Sequence, residues 1–371
     1  MDADVVIVGG GVIGTAIAWR AAREGLTVTL IDPGDDRDKA SLVAAGMLGP
    51  VSESVFGERD LLNLNLLAIS RFPGFSEELE QATGWQTGLR TEGTLAVAYD
   101  SGDLAALKRL TAFRHSIGLQ AQELDGRQCR QLEPFLAPGT RGGVLATGDL
   151  SVDNRRYLAA LKEAARAAGV RTIQGTATTV AERGVTVAGT GARLEAAQVV
   201  VAAGWAISKI AGVPDPVRKA VRPVKGQILR LRHPRAVPPV ATHTIRAIVQ
   251  GRDVYIVPRA DGEVVVGATQ EERDDRDATV GAVHDLLRDA TTALPALSEL
   301  ILAEISVGLR PGTQDNGPIV GRTDTAGLIV ATGHFRNGIL LSAATADAVT
   351  ALLTHRQPRD EWLPFTPGRF G

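Results

Sequence analysis

The sequence has a single cysteine, a net charge close to zero and no long apolar run. Cys129 is the single cysteine among 371 residues, so the chain can form neither an internal disulfide framework nor a thiolate metal cluster. The formal net charge is −2, which argues against a nucleic-acid partner. The apolar stretch at residues 5–19 is interrupted by four glycines and is shorter than the roughly 20 residues that span a bilayer. The chain opens with Met1 to Asp4, which is acidic rather than basic, and we expect a cytoplasmic location without membrane association.

What remains is ordinary for a folded chain, with 44% hydrophobic and 22% charged residues. Periodicity predicts helices and strands along most of its length. The predicted helices cover residues 12–24, 60–84, 104–116, 154–168, 280–293 and 338–355. The predicted strands cover residues 5–8, 27–31, 94–98, 199–204, 227–232 and 327–332, with a hairpin over 253–269 that turns at Asp261 and Gly262. A short surface helix is expected at 128–132, around Cys129.

The N-terminal segment carries a glycine pattern between a strand and a helix. Gly9, Gly11 and Gly14 fit G-x-G-x-x-G, and Asp32 lies at the end of the following strand. Glycines at these positions permit a tight turn, a close approach of the backbone to a pyrophosphate, and close packing of helix on strand. The acid can accept hydrogen bonds from a ribose and disfavours NADP. We therefore expect dinucleotide binding through Gly9, Gly11, Val12, Ile13, Gly14 and Asp32.

Apolar strands that run into glycine occur near the start, the middle and the end of the chain, whereas the segments between them alternate polar and apolar residues. This pattern predicts an α/β fold: a discontinuous Rossmann-like domain, with a second domain threaded through it that is built on an antiparallel sheet. The nucleotide-binding domain is expected at residues 1–85, 150–220 and 306–371, and the substrate-binding domain at residues 86–149 and 221–305.

Two further segments resemble flavin-binding signatures of the D-amino-acid oxidase family. They are Ala-Ala-Gly-Met-Leu-Gly at 44–49 and Gly-His-Phe-Arg-Asn-Gly-Ile-Leu-Leu at 333–341. The similarity continues in Val-Arg-Pro-Val-Lys-Gly-Gln at 221–227, Tyr-Ile-Val-Pro-Arg at 255–259, Val-Val-Gly-Ala-Thr at 265–269 and Gly-Leu-Arg-Pro-Gly-Thr at 308–313. The combination is most similar to the glycine-oxidase branch of the thiamine-biosynthetic type, and it extends from about residue 4 to about residue 354.

The resemblance implies noncovalent FAD, since Cys129 is not where flavinylated relatives place their cysteine. A glycine-opened helix N-terminus at 338 can stabilise the negative charge that develops near flavin N1 and O2 on reduction. The additional cofactor-binding residues implied are Ala44, Ala45, Gly46, Met47, Gly204, Gly333, Arg336, Asn337, Gly338 and Ile339.

The resemblance also implies three catalytic residues. Arg310 would bind the substrate carboxylate with its planar fork, Tyr255 would donate its hydroxyl to the same group, and Arg336 would lie over the flavin. The alternatives are a structural salt bridge for Arg310, a half-buried sheet aromatic for Tyr255 and a solvent-facing cation for Arg336. His334 is interpreted as a packing residue rather than a base, and Trp205 as a core or interface residue.

The activity implied is oxidative deamination of glycine, and of sarcosine or small D-amino acids as further substrates. A hydride would pass from the α-carbon to flavin N5, oxygen would reoxidise the flavin to give hydrogen peroxide, and the imine would yield glyoxylate and ammonia or enter thiazole synthesis through a thiazole synthase partner. The family is often tetrameric, which implies a homo-oligomer. The alternatives are a dehydrogenase that uses another electron acceptor, a flavin-binding subunit without turnover and a nicotinamide enzyme, the last disfavoured by the two flavin-like segments.

Three departures from the family pattern bear on these expectations. The hydroxyl residue usual before the Ala-Ala-Gly-Met stretch is replaced by Val43, with Ser41 two residues earlier, which leaves one phosphate contact open. Gln270 and Asp253 stand where a relative has an apolar residue and a histidine, and we expect them to alter amine specificity.

Overall fold

The computed structural model describes residues 3–34, 39–189, 191, 193–234 and 238–370. Its strands are β1 (Ala3–Val8), β2 (Val28–Asp32), β3 (Met47–Leu48), β4 (Thr94–Ala98), β5 (Gln122–Asp125), β6 (Gly142–Ala146), β7 (Leu150–Ser151), β8 (Arg171–Gln174), β9 (Ala177–Ala181), β10 (Gly184–Val187), β11 (Arg193–Val201), β12 (Arg222–Arg232), β13 (Thr244–Val249), β14 (Arg252–Pro258), β15 (Glu263–Gly267), β16 (Ile301–Gly312), β17 (Ile319–Arg322) and β18 (Leu328–Thr332). Its α-helices are α1 (Val12–Arg23), α2 (Ala40–Val43), α3 (Arg59–Thr83), α4 (Ser101–Ser116), α5 (Gly126–Leu132), α6 (Asn154–Ala167), α7 (Asp215–Ala220), α8 (Val280–Ala293) and α9 (Gly338–Leu353).

The first sheet has five parallel strands in the order β18-β11-β1-β2-β8, with β17 antiparallel on the β18 edge. Strands β9 and β10 form an antiparallel extension of β11. Val5 and Ile7 of β1 face a core built with α1, α3, α6 and α9, whereas Val6 and Val8 face a second apolar layer with β9 to β11 and α7. Burial of β1 on both faces explains its uninterrupted apolar run and confirms the predicted parallel sheet.

The second sheet has the order β16-β12-β15-β14-β13-β4-β6-β5, and all its neighbours are antiparallel except β13 and β4. One face packs on α8 through an apolar cluster that includes Leu229, Ile256 and Val266. The other face meets the segment that follows α2, where Val43 and Ala45 pack on Ile228 and Val257. The fold class predicted from the sequence is confirmed, and the antiparallel sheet lies against the flavin-signature segment.

The division of the chain into two domains stays a prediction. The expected break between residues 305 and 306 falls inside β16, which pairs with β12 from Ile301 through Gly312. The continuous ladder satisfies backbone hydrogen bonds along the whole strand. Arg310 therefore belongs to the antiparallel sheet.

The short surface helix expected around Cys129 is present as α5, in which Arg127, Gln128, Gln131 and Leu132 are exposed, but the cysteine itself is buried. Its side chain is buried between α5 and β6, where an added Cβ on Gly143 would lie 2.8 Å from the sulfur. Burial, helped by the charge of Asp125, raises the pKa of the Cys129 thiol to about 11.

Among the described residues, none of the helices combines the length and the apolar composition of a membrane span.

We expect the Cys129 thiol to be inert in the folded protein, because both burial and the raised pKa suppress the reactive thiolate. A chromogenic disulfide reagent at mildly alkaline pH should label the native chain far more slowly than the chain unfolded in guanidinium. One thiol per chain in the denatured sample is the control. Labelling of the native and denatured chains at similar rates would show that α5 does not cover the sulfur.

Candidate functional site

A cavity of about 520 Å3 lies between the two sheets, at the carboxyl edge of the parallel strands. This edge is where open α/β sheets bind ligands, and the volume is in the range of small-molecule sites. The predicted site residues that line it are Gly9, Gly11, Val12, Ile13, Asp32, Ala44, Gly204, Tyr255, Arg310, Arg336, Gly338 and Ile339. The predicted residues that lie behind the lining are Gly14, Ala45, Gly46, Met47, Gly333 and Asn337.

The glycine loop forms one end of the cavity. Helix α1 begins at Val12 with no side-chain hydrogen bond at its N-cap, Gly11, and no acid in its first turn. An added Cβ on Gly14 would overlap the carbonyl oxygen of Gly9, so the close packing of helix on turn requires glycine. The helix N-terminus therefore offers backbone N–H groups and a positive dipole to an anion, as a pyrophosphate requires.

Ser41 lies at this helix N-terminus, although the departure from the family sequence left its contact open. Its Oγ accepts a hydrogen bond from the Val12 backbone N–H at 3.0 Å. This places a hydroxyl, two residues before Val43, at the glycine loop, where the first turn of α2 brings it. Its contact with a phosphate stays a prediction.

Asp32 ends β2, as predicted, and is buried at 7% exposure. Its carboxylate accepts hydrogen bonds from the backbone N–H of Gly10 at 2.6 Å and of Gly34 at 2.9 Å. Lys39 forms an ion pair with it at 2.5 Å. The carboxylate therefore braces the glycine loop, and its contact with a ribose stays a prediction.

The flavin-signature segment is held from behind by the buried guanidinium of Arg259, at the end of β14. Arg259 Nη2 donates to the Ala45 carbonyl at 2.5 Å and Nη1 donates to the Val152 carbonyl at 2.6 Å. The backbone N–H of Val152 in turn donates to the Gly46 carbonyl at 2.8 Å. Burial lowers the pKa of Arg259 to about 10, so it stays charged at neutral pH, yet it forms no ion pair within the described part of the chain.

Asn154 and Arg230 also bind the backbone of α2, just before the flavin-signature segment. Neither residue was predicted from the sequence. Asn154 donates to the Ser41 carbonyl at 2.8 Å and accepts from Arg259 Nη2 at 3.2 Å. Arg230, which pairs with Glu263, donates to the Leu42 carbonyl at 3.1 Å. The one available signal was that Arg230 and Arg259 lie beside apolar residues, Ile228, Leu229 and Leu231 for the first and Ile256 and Val257 for the second.

Tyr255 and Arg310 converge at the other end of the cavity. They stand on β14 and β16, and the two strands between them, β15 and β12, present glycines. An added Cβ on Gly267 would lie 2.5 Å from the Tyr255 hydroxyl oxygen, and one on Gly226 would overlap the Arg310 guanidinium. Both side chains therefore lie across the bare backbone of the central strands and point toward each other.

The electrostatics of this pair suit a carboxylate ligand. Arg310 Nη1 donates to the neutral Thr269 carbonyl at 3.1 Å, and across the described residues its guanidinium forms no ion pair, contrary to the salt-bridge alternative. Burial raises the pKa of Tyr255, against the opposing charge of Arg310, so the phenol is a hydrogen-bond donor at neutral pH. A charged fork beside a neutral hydroxyl is a suitable set of donors for a carboxylate.

Arg336 lies at the cavity rim with its charge paired. Its Nη2 is 3.3 Å from Glu58 Oε2, and Glu58 also accepts from Asn316 Nδ2 at 2.7 Å. The predicted position of Arg336 over a flavin stays a prediction, and its ion pair with Glu58 was not foreseen. His334 is buried and lies 3.0 Å from Thr345 Oγ1, and burial lowers its pKa to about 3, which agrees with the packing interpretation.

Three side chains named in the sequence analysis lie at positions other than those expected. Gln270 and Asp253 are exposed and lie outside the cavity lining, so the structure gives them no direct contact through which to alter amine specificity. Trp205, expected in the core or at an interface, instead lines the cavity, with the Lys209 ammonium 4.4 Å from its ring centroid.

These residues fit a flavin dinucleotide. The glycine loop, with its helix N-terminus and the Gly14 contact, has the features of a pyrophosphate site, and the same cavity continues past Ala44 to the N-terminus of α9 and to Arg310. Helix α9, like α1, has no side-chain hydrogen bond at its N-cap and no acid in its first turn. Its dipole can therefore stabilise negative charge on a flavin ring.

Comparisons with known proteins agree with this geometry. A sequence model described as FAD dependent oxidoreductase (DAO) matches residues 4–352. The chain is 33% identical to the glycine oxidase of Geobacillus kaustophilus, over 98% of this chain and 96% of that protein. It is 33% identical to the bifunctional protein ThiO/ThiG of Synechocystis over 99% of its own length, but it spans only about half (54%) of that relative. The crystal structure of the Geobacillus glycine oxidase superposes with a TM-score of 0.89 at 31% identity, covering 99% of this chain and 98% of that one. The chain therefore belongs to the DAO family of FAD-dependent oxidoreductases, and FAD is its cofactor.

Proposed function

We propose that this chain oxidises glycine, with sarcosine or small D-amino acids as further substrates and molecular oxygen as the electron acceptor. The observation that carries the proposal is the convergence of Arg310 and neutral Tyr255 over the glycines of β12 and β15, in the same cavity as the glycine loop. The names of relatives that match nearly the whole chain, among them the Geobacillus glycine oxidase, support it.

The substrate carboxylate would bind between the Arg310 fork and the Tyr255 hydroxyl, which fixes the α-carbon relative to the cofactor. When bound, the flavin supplies the hydride acceptor, N5. Among the described residues that line the cavity, Asp32 is the only carboxylate, and it lies at the glycine-loop end. His334 is held neutral and bonded to Thr345. The protein therefore positions the substrate, and the amine enters in its unprotonated form without a side-chain base.

The product of this reaction fits a role in thiamine biosynthesis. We propose that the imine is either hydrolysed to glyoxylate and ammonia or passed to a thiazole synthase, while the two electrons removed from the substrate reduce oxygen to hydrogen peroxide. Support comes from relatives named bifunctional protein ThiO/ThiG, which align with 96% or more of this chain. We further propose a cytoplasmic homo-oligomer, tetrameric as the family resemblance implies.

The first experiment is anaerobic addition of glycine to the purified yellow protein. We expect the visible flavin band to bleach and to return on exposure to air, with hydrogen peroxide formed in the same amount as glyoxylate and imine. A flavin that bleaches only with sarcosine or D-alanine would show that the substrate is one of these amines rather than glycine. Bleaching without reoxidation by oxygen would replace the oxidase with a dehydrogenase.

Replacing Arg310 tests the carboxylate site. We expect Arg310→Lys to raise the KM for glycine roughly 10- to 100-fold with a smaller change in kcat, because one charge-assisted hydrogen bond and the planar fork are lost. The exposed Arg166→Lys variant on α6 is the matched control and should behave as the wild type. An unchanged KM in Arg310→Lys, with FAD content intact, would place the substrate carboxylate elsewhere.

Replacing Tyr255 tests the second carboxylate donor through pH. The phenol donates only below its pKa, which lies above the ordinary value of about 10. In the wild type, the KM for unprotonated glycine should therefore stay flat from neutral pH to about pH 10 and rise only beyond the tyrosine pKa. Tyr255→Phe should raise this KM about tenfold at all pH values and abolish the alkaline rise. An alkaline rise that persists in Tyr255→Phe would assign it to another group.

A further inference from the structure

Two motif segments that contribute little or nothing to the cavity lining, 221–227 and 265–269, meet behind Arg310. Gln227 of β12 is fully buried, and Thr269 and Glu271 follow β15. The backbone of Glu271 pairs with that of Lys225 through hydrogen bonds of 2.9 and 3.0 Å. The segment after β15 is thereby added as a short antiparallel bridge beside β12, on the strand next to Arg310.

Thr269, whose carbonyl accepts the hydrogen bond from Arg310, is held at its other polar atoms. Its N–H donates to the Gln227 carbonyl at 3.2 Å, and its hydroxyl accepts from the Gln227 N–H at 3.0 Å. The same hydroxyl donates to Glu271 Oε1 at 2.7 Å. The acceptor that orients the Arg310 guanidinium therefore has little freedom to move.

The side chain of Gln227 connects Glu271 to Thr279, the residue before α8. Its Nε2 donates to Glu271 Oε1 at 2.8 Å and to Thr279 Oγ1 at 3.3 Å, and its Oε1 accepts from the Thr279 N–H at 2.9 Å. Burial raises the pKa of Glu271, but the hydrogen bonds from Thr269 and Gln227 and the charge of Lys225 outweigh it and hold the pKa below its usual value. Glu271 is thus a carboxylate that stands behind Thr269.

We propose that Gln227 and Glu271 are positioning residues for the carboxylate-binding arginine, acting through Thr269. A direct carboxylate partner would occupy the fork of Arg310, whereas the Thr269 carbonyl fixes one nitrogen and leaves the others free for substrate. The carboxylate of Glu271 accepts from the Thr269 hydroxyl and so holds Thr269, whose carbonyl accepts from Arg310. This inference rests on the proposed function of Arg310.

The same segment is also anchored by contacts that do not involve Thr269. Lys225 Nζ binds Asp275 at 2.5 Å and the Asp277 carbonyl at 2.7 Å. Arg222 forms a two-pronged pair with Glu272 at 2.8 and 3.1 Å. Loss of the Gln227 side-chain amide therefore leaves the segment and the backbone contacts of Thr269 in place. It frees the Glu271 carboxylate that accepts from the Thr269 hydroxyl, which separates positioning from general anchoring.

The test uses Gln227→Met and Glu271→Gln in the FAD-loaded enzyme, with Arg222→Met as the matched control because it removes an anchor that does not touch Thr269. We expect Gln227→Met to raise the KM for glycine about tenfold with kcat within about twofold, and Glu271→Gln to give a smaller rise. The Kd for glycolate, measured from the perturbation of the flavin spectrum, should rise in parallel, whereas Arg222→Met should change neither constant. An equal effect in Arg222→Met, or an unchanged KM and Kd in both test variants, would overturn the inference.

A double-mutant cycle isolates the route of action. In the Arg310→Lys background, Gln227→Met should add less than about twofold to KM, since the group that it positions is already gone. A full tenfold effect on top of Arg310→Lys would refute action through Arg310. Failure of the wild type to oxidise glycine would refute the proposed function instead, and the glycolate titration would still report on the positioning of Arg310.

Discussion

The guanidinium of Arg259 connects the two halves of the site, and the geometry at both ends of the cavity depends on it. It hydrogen-bonds the Ala45 and Val152 carbonyls and the Asn154 side chain, and so carries a charge into the interior with neutral acceptors alone. An isolated buried ion is costly, but directed carbonyl dipoles offset much of that cost. Removal of this side chain would leave these buried carbonyls unsatisfied as well, so the contact is hard to replace.

The position of Arg259, directly after β14, gives this interaction its functional meaning. Tyr255 lies four residues earlier, on β14, which fixes its distance from the flavin-signature segment that Arg259 holds. Arg310 is set against Tyr255 through the register of β14, β15, β12 and β16. One rigid ladder therefore relates the substrate groups to each other, and one buried arginine relates that ladder to the flavin-signature segment.

The sequence was sufficient to predict the parts of the site that depend on local pattern. The strand, glycine turn and helix around Gly9 to Gly14 are encoded within about thirty residues, so their structure and their role follow from periodicity and spacing. The convergence of Tyr255 and Arg310 was implied by family resemblance but could not be read from the residues alone, because it depends on the register of four strands. The same limit hid the pairing of Arg336 with Glu58, two residues separated by 278 positions.

The burial of Cys129 arose where a local signal competed with a tertiary one. The polar neighbours of Cys129 indicate an exposed helix, and α5 is exposed at most of its positions, but Gly143 opens a space that the sulfur fills. The deciding partner lies far away in the sequence.

The burial of Cys129 has a consequence for an enzyme that releases an oxidant. Under the proposed activity, every turnover produces peroxide inside a chain whose single thiol is covered and held protonated. Sulfenic acid forms from an exposed thiolate, and a second thiol for disulfide exchange is absent from the sequence. The scarcity of cysteine and the position of the one that remains together leave no exposed thiol for this oxidant to attack in the described part of the chain.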